Sequence, residues 1–245
     1  MNNMYTILTN EEIAYKTYRM ILFGDTSKIS APGQFINIKI DSADTFLRRP
    51  ISISDYDCNT ITIIYKIFGK GTEKLSKMKQ FQELDILGPF GNGFTINKNA
   101  KKQLLIGGGV GVPPLYSVAK ELYKEKIEFD VVLGFSSKSD VFLEGLFRSL
   151  GANVYVTTMD GSYGYKGNVL DLINLKNLYY DYYYACGPEV MLHALVKTNI
   201  EGQLSFEERM GCGFGACMGC SCKTITSYKR ICKEGPVLES SEVLL

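Results

Sequence analysis

Four cysteines near the carboxyl terminus have the spacing of iron–sulfur ligands. Cys212, Cys217 and Cys220 follow the pattern C-x4-C-x2-C, and Cys232 supplies a distant fourth thiol. This is the plant-type spacing that holds a 2Fe–2S cluster. The run from 211 to 220 is almost all small residues, which lets the backbone wrap tightly and direct N–H groups at sulfur. The spacing therefore predicts a 2Fe–2S cluster on these four thiols and a chain that carries electrons.

Two other interpretations of the thiols are weaker. Structural zinc prefers paired C-x2-C units, and only one such unit is present, so the pattern favours a cluster over zinc and over unligated core thiols. Cys222 lies two residues after Cys220 and could in principle replace a ligand, but the register leaves it as the odd thiol. Cys58 and Cys186 stand alone in the sequence and are typical of ordinary small apolar residues.

Length and charge limit the classes of partner. The 245 residues can form two modest domains and a small cluster module. With 27 basic and 26 acidic residues, the formal charge is +1, so we expect neither nucleic acid nor a membrane as partner. No basic, apolar leader and no run of ~20 apolar residues is present. Seven cysteines with metal-type spacing indicate a reducing, cytoplasmic location rather than a disulfide framework.

The elements that must position this chemistry begin with an all-β unit over residues 1–98. Closely spaced strands with period-two alternation predict a small antiparallel barrel. The alternating apolar residues are Ile36, Ile38 and Ile40 in one strand and Ile61, Ile63, Tyr65 and Ile67 in another.

A second unit, over residues 99–204, alternates strands with helices. Strands are predicted around 104–106, 131–133, 154–156 and 182–184, with helices from Pro113 to about Lys126 and from Pro188. The tyrosines at 182–184 are better explained as a strand than as a stacking surface. This alternation predicts a doubly wound parallel sheet, followed by the cluster module at 205–245.

Two short motifs in the barrel can grip phosphate groups. In the run 48–52, Arg49 and a rigid Pro50 precede Ser52, whose hydroxyl can face a flavin ring. Alone, the run is as typical of a strand with a surface basic pair. A glycine-rich turn at 69–72 adds a second grip, with Thr72 expected as the N-cap of a short helix from Glu73 to Met78. Together the motifs predict flavin adenine dinucleotide (FAD) in the barrel.

Glycine-rich loops in the second unit predict a site for nicotinamide adenine dinucleotide (NAD). The run 107–114 joins a strand to a helix but lacks the third glycine of the usual fingerprint, so a packing turn is the competing interpretation. A second loop at 186–188 and a turn at 160–161 follow other strands, at the carboxyl edge where such sheets bind ligands. The expected NAD-binding residues are Gly107, Gly108, Gly109, Gly111, Pro113, Asp160, Cys186, Gly187 and Pro188.

Acid–base machinery is not expected. The single histidine, His193, is predicted to be a surface or helix-packing residue, and no catalytic triad or carboxylate pair is visible. Hydride transfer between nicotinamide and flavin is cofactor chemistry, for which the protein supplies position and electrostatics. We therefore assign no catalytic residue.

In order along nearly the whole chain, these motifs resemble the electron transfer subunit of dihydroorotate dehydrogenase B, within the ferredoxin-NADP reductase superfamily. The motifs are Arg-Pro-x-Ser, Gly-x-Gly-Thr, Gly-Gly-Gly-x-Gly-x-Pro-Pro, Cys-Gly-Pro and Glu-Glu-Arg-Met-Gly-Cys. Many superfamily relatives have an aromatic residue where this chain has Ile51. By resemblance, FAD is lined by Arg49, Pro50, Ile51, Ser52, Ile64, Tyr65, Lys66, Gly71 and Thr72.

The resemblance also implies a function. Electrons would pass from the FMN of a catalytic partner subunit through the 2Fe–2S cluster and FAD to NAD+, in pyrimidine (UMP) biosynthesis. The complex would be a heterotetramer with two copies of each subunit, and this chain alone would not oxidise dihydroorotate. One lysine among the hydroxyls at 136–139 is a poor phosphate clamp, so NAD is preferred over NADP.

Two alternatives share these features in part. A subunit of an NADH-dependent ferredoxin:NADP oxidoreductase or of sulfide dehydrogenase would have the same three parts, although a cysteine as first ligand favours the dihydroorotate branch. A cofactor-free interaction subunit could keep the fold alone, and the absence of visible absorbance would distinguish it.

Overall fold

The computed structural model describes residues 4–40 and 44–244, and it contains a closed β-barrel followed by a seven-stranded sheet. No helix within those ranges is long and apolar enough to cross a membrane.

The barrel has six antiparallel strands in the order β1-β2-β5-β4-β3-β6. Alternation in β5 is as the sequence predicts: Ile61, Ile63 and Tyr65 are buried in the barrel core, while Ile64 on the opposite face packs into the core of the sheet domain. Ile67 lies beyond the end of this strand. The strands are β1 Met4–Ala14, β2 Thr17–Phe23, β3 Phe35–Ile38, β4 Arg49–Tyr56, β5 Thr60–Lys66 and β6 Glu83–Phe90.

The second sheet has the order β10-β9-β8-β7-β11-β12-β15 and is parallel except at β15. The strand order reverses between β7 and β11, as in other doubly wound sheets. The tyrosines at 182–184 are buried within β11, as predicted. The strands are β7 Gln103–Gly108, β8 Phe129–Phe135, β9 Asn153–Thr158, β10 Tyr165–Lys166, β11 Tyr182–Cys186, β12 Gly202–Ser205 and β15 Val237–Glu239.

Five α-helices accompany the strands in the described residues, and one begins earlier than expected. α1 starts at Lys70 with Gly69 as its N-cap, so the prediction that Thr72 caps a helix from Glu73 is wrong. The Thr72 hydroxyl instead accepts a hydrogen bond from the Phe68 N–H at 3.0 Å, because Thr72 lies in the first turn. The helices are α1 Lys70–Ser76, α2 Val112–Lys124, α3 Glu144–Ser149, α4 Val169–Leu175 and α5 Glu189–Val196.

The carboxyl-terminal segment leaves the sheet and returns to it. After β12 the chain forms the cysteine loop and a hairpin of β13 Ser221–Lys223 and β14 Tyr228–Arg230. β15 then pairs antiparallel with β12, with Leu204 opposite Leu238. The cysteine segment is therefore held at both ends by the nucleotide-type sheet.

Several contacts fix the barrel against the sheet domain. The Lys66 ammonium on β5 lies 2.6 Å from Asp140, and the Tyr15 N–H donates to the Ser139 carbonyl at 2.8 Å. Lys120 of α2 forms a further ion pair with Asp55 of β4. These contacts hold the β5 side of the barrel against the loop after β8 and against α2 of the sheet domain.

Truncation of the sheet core should destabilise the chain. Leu133 is fully buried in β8, so Leu133→Ala removes methyl groups and leaves a cavity, at a cost of about 2–5 kcal/mol. Leu175→Ala, at a side chain that is 61% exposed, should change stability by less than about 0.5 kcal/mol. Urea midpoints followed by circular dichroism measure both. Equal shifts in the two variants would contradict the assigned core.

Candidate functional site

Two loops meet at the point where the strand order reverses. The loop 109–111 follows β7 and the loop 187–188 follows β11, and these strands are neighbours in register, with Cys186 opposite Gly107. A β-carbon built on Gly111 would lie 2.4 Å from the Cys186 carbonyl carbon and 2.5 Å from the Gly187 nitrogen. Only glycine at position 111 lets the two backbones come this close.

A cavity of about 500 Å³ opens at these loops. Gly108, Gly109, Gly111, Gly187 and Pro188 line it, together with Ser136 at the end of β8. The other predicted NAD residues lie around it. Gly107 and Pro113 are buried behind the loop, and the Cys186 backbone touches Gly111. Asp160 lies one strand further along the same edge, where its N–H donates to the Ser136 carbonyl.

A second cavity, of about 610 Å³, lies between the barrel and the cysteine segment. All nine residues expected around FAD line this one cavity: Arg49, Pro50, Ile51, Ser52, Ile64, Tyr65, Lys66, Gly71 and Thr72. A β-carbon on Gly71 would lie 2.3 Å from the Arg49 Nε, so this glycine leaves space for the guanidinium. The cavity thus joins the two phosphate-gripping motifs, which are separate in sequence.

The two neighbouring arginines of the run 48–52 have different environments. Arg48 turns to the barrel, where its Nη2 pairs with the Asp85 carboxylate at 2.7 Å and its Nη1 donates to the Asp85 carbonyl. Arg49 remains in the cavity wall. One arginine therefore stabilises the barrel, and the other is available to an anionic ligand.

The two cavities share a wall. Lys66, Phe68, Val110, Phe206, Glu207 and Glu208 line both of them. Glu207 opens onto the shared space, yet surrounding protein desolvates its carboxyl group and raises its pKa. Burial also raises the pKa of the nearby Cys186 thiol, and the Glu207 carboxylate raises it further, so the thiol stays neutral. Sequence reasoning missed Glu207, since an acidic pair before a cysteine loop carries no signal of a cavity.

The four predicted cluster thiols form two pairs. The Cys212 N–H donates to the Cys217 sulfur at 3.4 Å, and the Cys232 N–H donates to the Cys220 sulfur at 3.4 Å. Within residues 4–40 and 44–244, no three or more His, Cys, Asp or Glu side chains converge closely enough to hold a single metal ion. The observed arrangement is therefore two thiol pairs rather than one converging set.

Backbone N–H groups surround the first pair of thiols. The Ala216 N–H donates to the Cys212 sulfur at 3.2 Å, and the Gly219 N–H to the Cys217 sulfur at 3.5 Å. Hydrogen bonds from the N–H groups of Cys217 and Phe214 lower the pKa of the Cys212 thiol to about 6, which favours the thiolate needed by a metal ligand. The second pair is buried, and burial raises the pKa of Cys232 to about 12.

Cys222 belongs to neither of the two thiol pairs, and its sulfur contacts the Lys223 carbonyl at 3.6 Å. It lies on β13 and lines the first cavity, where burial and the carboxylates of Glu208 and Glu189 raise its pKa. In the cysteine loop, the apolar side chains of Phe214 and Met218 are 54% and 55% exposed.

Comparison with known proteins agrees with this arrangement. Residues 207–244 match the family model described as the iron-sulfur cluster binding domain of dihydroorotate dehydrogenase B. The chain is 46% identical to the dihydroorotate dehydrogenase B (NAD(+)) electron transfer subunit of Fusobacterium nucleatum, over 97% of this chain and 96% of that protein. The chain belongs to this family. The subunit from a Geobacillus strain is 43% identical over 98% of this chain and 97% of that protein.

Solved structures agree on the fold of this family member. A chain of the NADH-dependent reduced ferredoxin-NADP oxidoreductase superposes with a TM-score of 0.88 and 28% identity, covering all of this chain and 91% of that one. The FAD/NAD binding domain of a Vibrio cholerae nitric oxide dioxygenase superposes at 0.69 with 19% identity, over 80% and 91% of the two chains. The expected architecture, a reductase barrel, a doubly wound sheet and an iron–sulfur segment, is confirmed, and the chain is an oxidoreductase component.

Crowding at the reversal point should impair nucleotide binding. Gly111→Ala adds a β-carbon against backbone atoms that cannot turn aside, which costs about 1–3 kcal/mol and moves the two loops apart. We expect the Kd for NADH to rise about tenfold or more. Gly145→Ala is the control, because its β-carbon would meet nothing within 4 Å. Fluorescence titration with NADH measures both, and equal affinities would contradict the role of this contact.

Proposed function

We propose that this chain carries electrons from the FMN of a dihydroorotate-oxidising partner subunit, through a 2Fe–2S cluster and FAD, to NAD+. Support comes from the neighbouring cavities, which share a wall between the barrel and the sheet and adjoin the cysteine segment. FAD supplies two-electron exchange with nicotinamide and one-electron exchange with a cluster when bound. The proposed parts are an FAD unit at 1–98, an NAD unit at 99–204 and a cluster unit at 205–245.

The two thiol pairs are the observation that supports a binuclear cluster. Four cysteines serve two irons in a 2Fe–2S centre, so each iron needs one pair. A structural zinc site instead needs four donors around one ion. Cys212 with Cys217, and Cys220 with Cys232, would therefore each hold one iron, and the N–H groups directed at Cys212 and Cys217 would stabilise the bound thiolates.

The cavity residues support the assignment of FAD and NAD. Arg49 and the glycine turn at 69–72 would hold the FAD phosphates, and Ile64–Lys66 would form the wall beside the flavin. NAD would lie along the carboxyl edge from Asp160 past Gly109, with its nicotinamide near Cys186 and Gly187. The hydroxyl-rich run 136–139 would face the adenosine ribose, and its single lysine favours NAD over NADP.

A partner subunit is needed for dihydroorotate itself. FAD and NAD would fill the two cavities that share a wall, and the exposed side of the cysteine loop would be left for docking. Phe214 and Met218 supply apolar surface there, as expected at the centre of a protein interface. We propose that the FMN subunit covers this loop in a complex with two copies of each chain.

The ligand assignment predicts different results for neighbouring cysteines. Cys212→Ser, Cys217→Ser, Cys220→Ser and Cys232→Ser should each lose most iron and acid-labile sulfide, against about two of each per wild-type chain. Cys222→Ser should keep both, because Cys222 belongs to neither thiol pair and lines the first cavity. Chemical analysis of anaerobically purified protein measures the content. Loss of the cluster in Cys222→Ser, together with retention in a ligand variant, would overturn the assignment.

Reconstitution tests the electron route. The purified chain should reduce dyes with NADH but not oxidise dihydroorotate, and added FMN subunit should produce NAD-linked dihydroorotate oxidation. Steady-state kcat/KM should be higher with NADH than with NADPH. Dihydroorotate oxidation by the isolated chain would exclude the relay. Ferredoxin-linked NADP reduction, without any gain from the FMN subunit, would favour the ferredoxin:NADP oxidoreductase alternative, which the superposition at a TM-score of 0.88 makes the second candidate.

A further inference from the structure

One arginine side chain connects the two halves of the cysteine segment. Arg230 ends β14, two residues before Cys232, and its Nη1 donates to the Gly215 carbonyl at 2.6 Å. Gly215 lies in the loop between Cys212 and Cys217. The guanidinium therefore ties the loop that carries the first thiol pair to the turn that carries Cys232 of the second pair.

The opposite edge of this guanidinium is held by Glu234. The Glu234 carboxylate accepts hydrogen bonds from the Arg230 Nε at 2.9 Å and the Arg230 N–H at 2.8 Å, and it also pairs with Nη2. The Arg230 carbonyl in turn accepts from the Glu234 N–H at 2.8 Å. Residues 230–234 thus form a closed turn that fixes the direction of the arginine side chain.

The turn is also anchored to the loop that follows the barrel. The Asn92 side-chain amide donates to the Glu234 carbonyl at 3.2 Å and to the Val237 carbonyl at 2.8 Å. The Asn92 backbone N–H donates to the Gly235 carbonyl. Arg230 is therefore held from both sides, which makes its charge a fixed feature of the segment.

Charge is the second property of this pair. A guanidinium stays protonated in proteins, and the ion pair with Glu234 holds this positive charge beside the turn that contains Cys232. A cation near cluster sulfur stabilises the form with one extra electron, and a nearby carboxylate opposes this effect. The two partners should therefore act on the cluster in opposite directions.

We propose that Arg230 and Glu234 form a positioning pair that holds the two cysteine pairs in register and sets the reduction potential of the cluster. This inference rests on the 2Fe–2S assignment proposed above. Uptake of one electron changes the cluster charge by one unit and breaks no bond, so the local charge balance of the pair enters the potential directly.

Charge-removing variants of the holoprotein test this proposal. Arg230→Gln keeps an amide donor near the Gly215 carbonyl but removes the cation, and it should lower the midpoint potential. Glu234→Gln leaves the cation uncompensated and should raise it. We expect each change to alter the one-electron equilibrium by about tenfold, or ~59 mV. Potentials come from titrations of the anaerobic holoprotein, followed by electron paramagnetic resonance.

A matched control is available in the same chain. Arg148→Gln removes an arginine that pairs with Glu144 four residues earlier, at 2.8 Å on α3, outside the cluster segment. Its potential should equal that of the wild type. If Arg230→Gln loses the cluster, Arg230→Lys is the alternative, because it keeps the positive charge without the guanidinium fork. Its one-electron equilibrium constant should stay within a factor of about three of the wild-type value, while iron is released to a chelator faster.

The outcomes separate the two proposals. A wild-type protein without iron and sulfide would overturn the cluster assignment itself. With the cluster present, unchanged potentials in both variants, or shifts of the same sign, would overturn the role of the pair. Opposite shifts with an unchanged Arg148→Gln control would support it.

Discussion

The close backbone contact between the loops after β7 and β11 is the constraint on which the site depends. Because Gly111 has no side chain, its backbone lies against Cys186 and Gly187, and the two loops together form one continuous surface of the first cavity. Val110 then lies in the wall that the two cavities share. A larger residue at 111 would separate the loops, and the two cavities would no longer meet across a single layer of side chains.

Contacts between the barrel and the sheet domain make this arrangement stable. Ile64 leaves the barrel core and packs with residues of the sheet, while Lys66 on the same strand pairs with Asp140. Apolar packing gives most of the energy, and the partly exposed ion pair adds orientation rather than strength. One strand thus contributes to the barrel core, the cavity wall and the interface. This explains why its alternation is broken by a buried residue on the opposite face.

Local patterns predicted most of the elements, and long-range contacts account for what they missed. Alternation identified β5, and the flanking strands and helices correctly placed the glycine loops at strand ends of the second sheet. Thr72 was misassigned because the turn before it already has helical geometry from Lys70. Three features depend on contacts that the local sequence does not show. They are the pairing of β15 with β12, the position of Glu207 in the cavity wall and the hydrogen bond from Arg230 to Gly215. No periodicity encodes such contacts.

The return of the chain to β15 has a consequence for biogenesis. The cysteine segment is closed only when Val237–Glu239 pairs with β12, so Cys212, Cys217 and Cys220 leave the ribosome before the segment that encloses them is complete. Until then, the edge of β12 is an unpaired template on which another chain can add a strand. The edge is therefore protected only after residues 237–239 have been synthesised, and a nascent chain that stalls before then is exposed to aggregation.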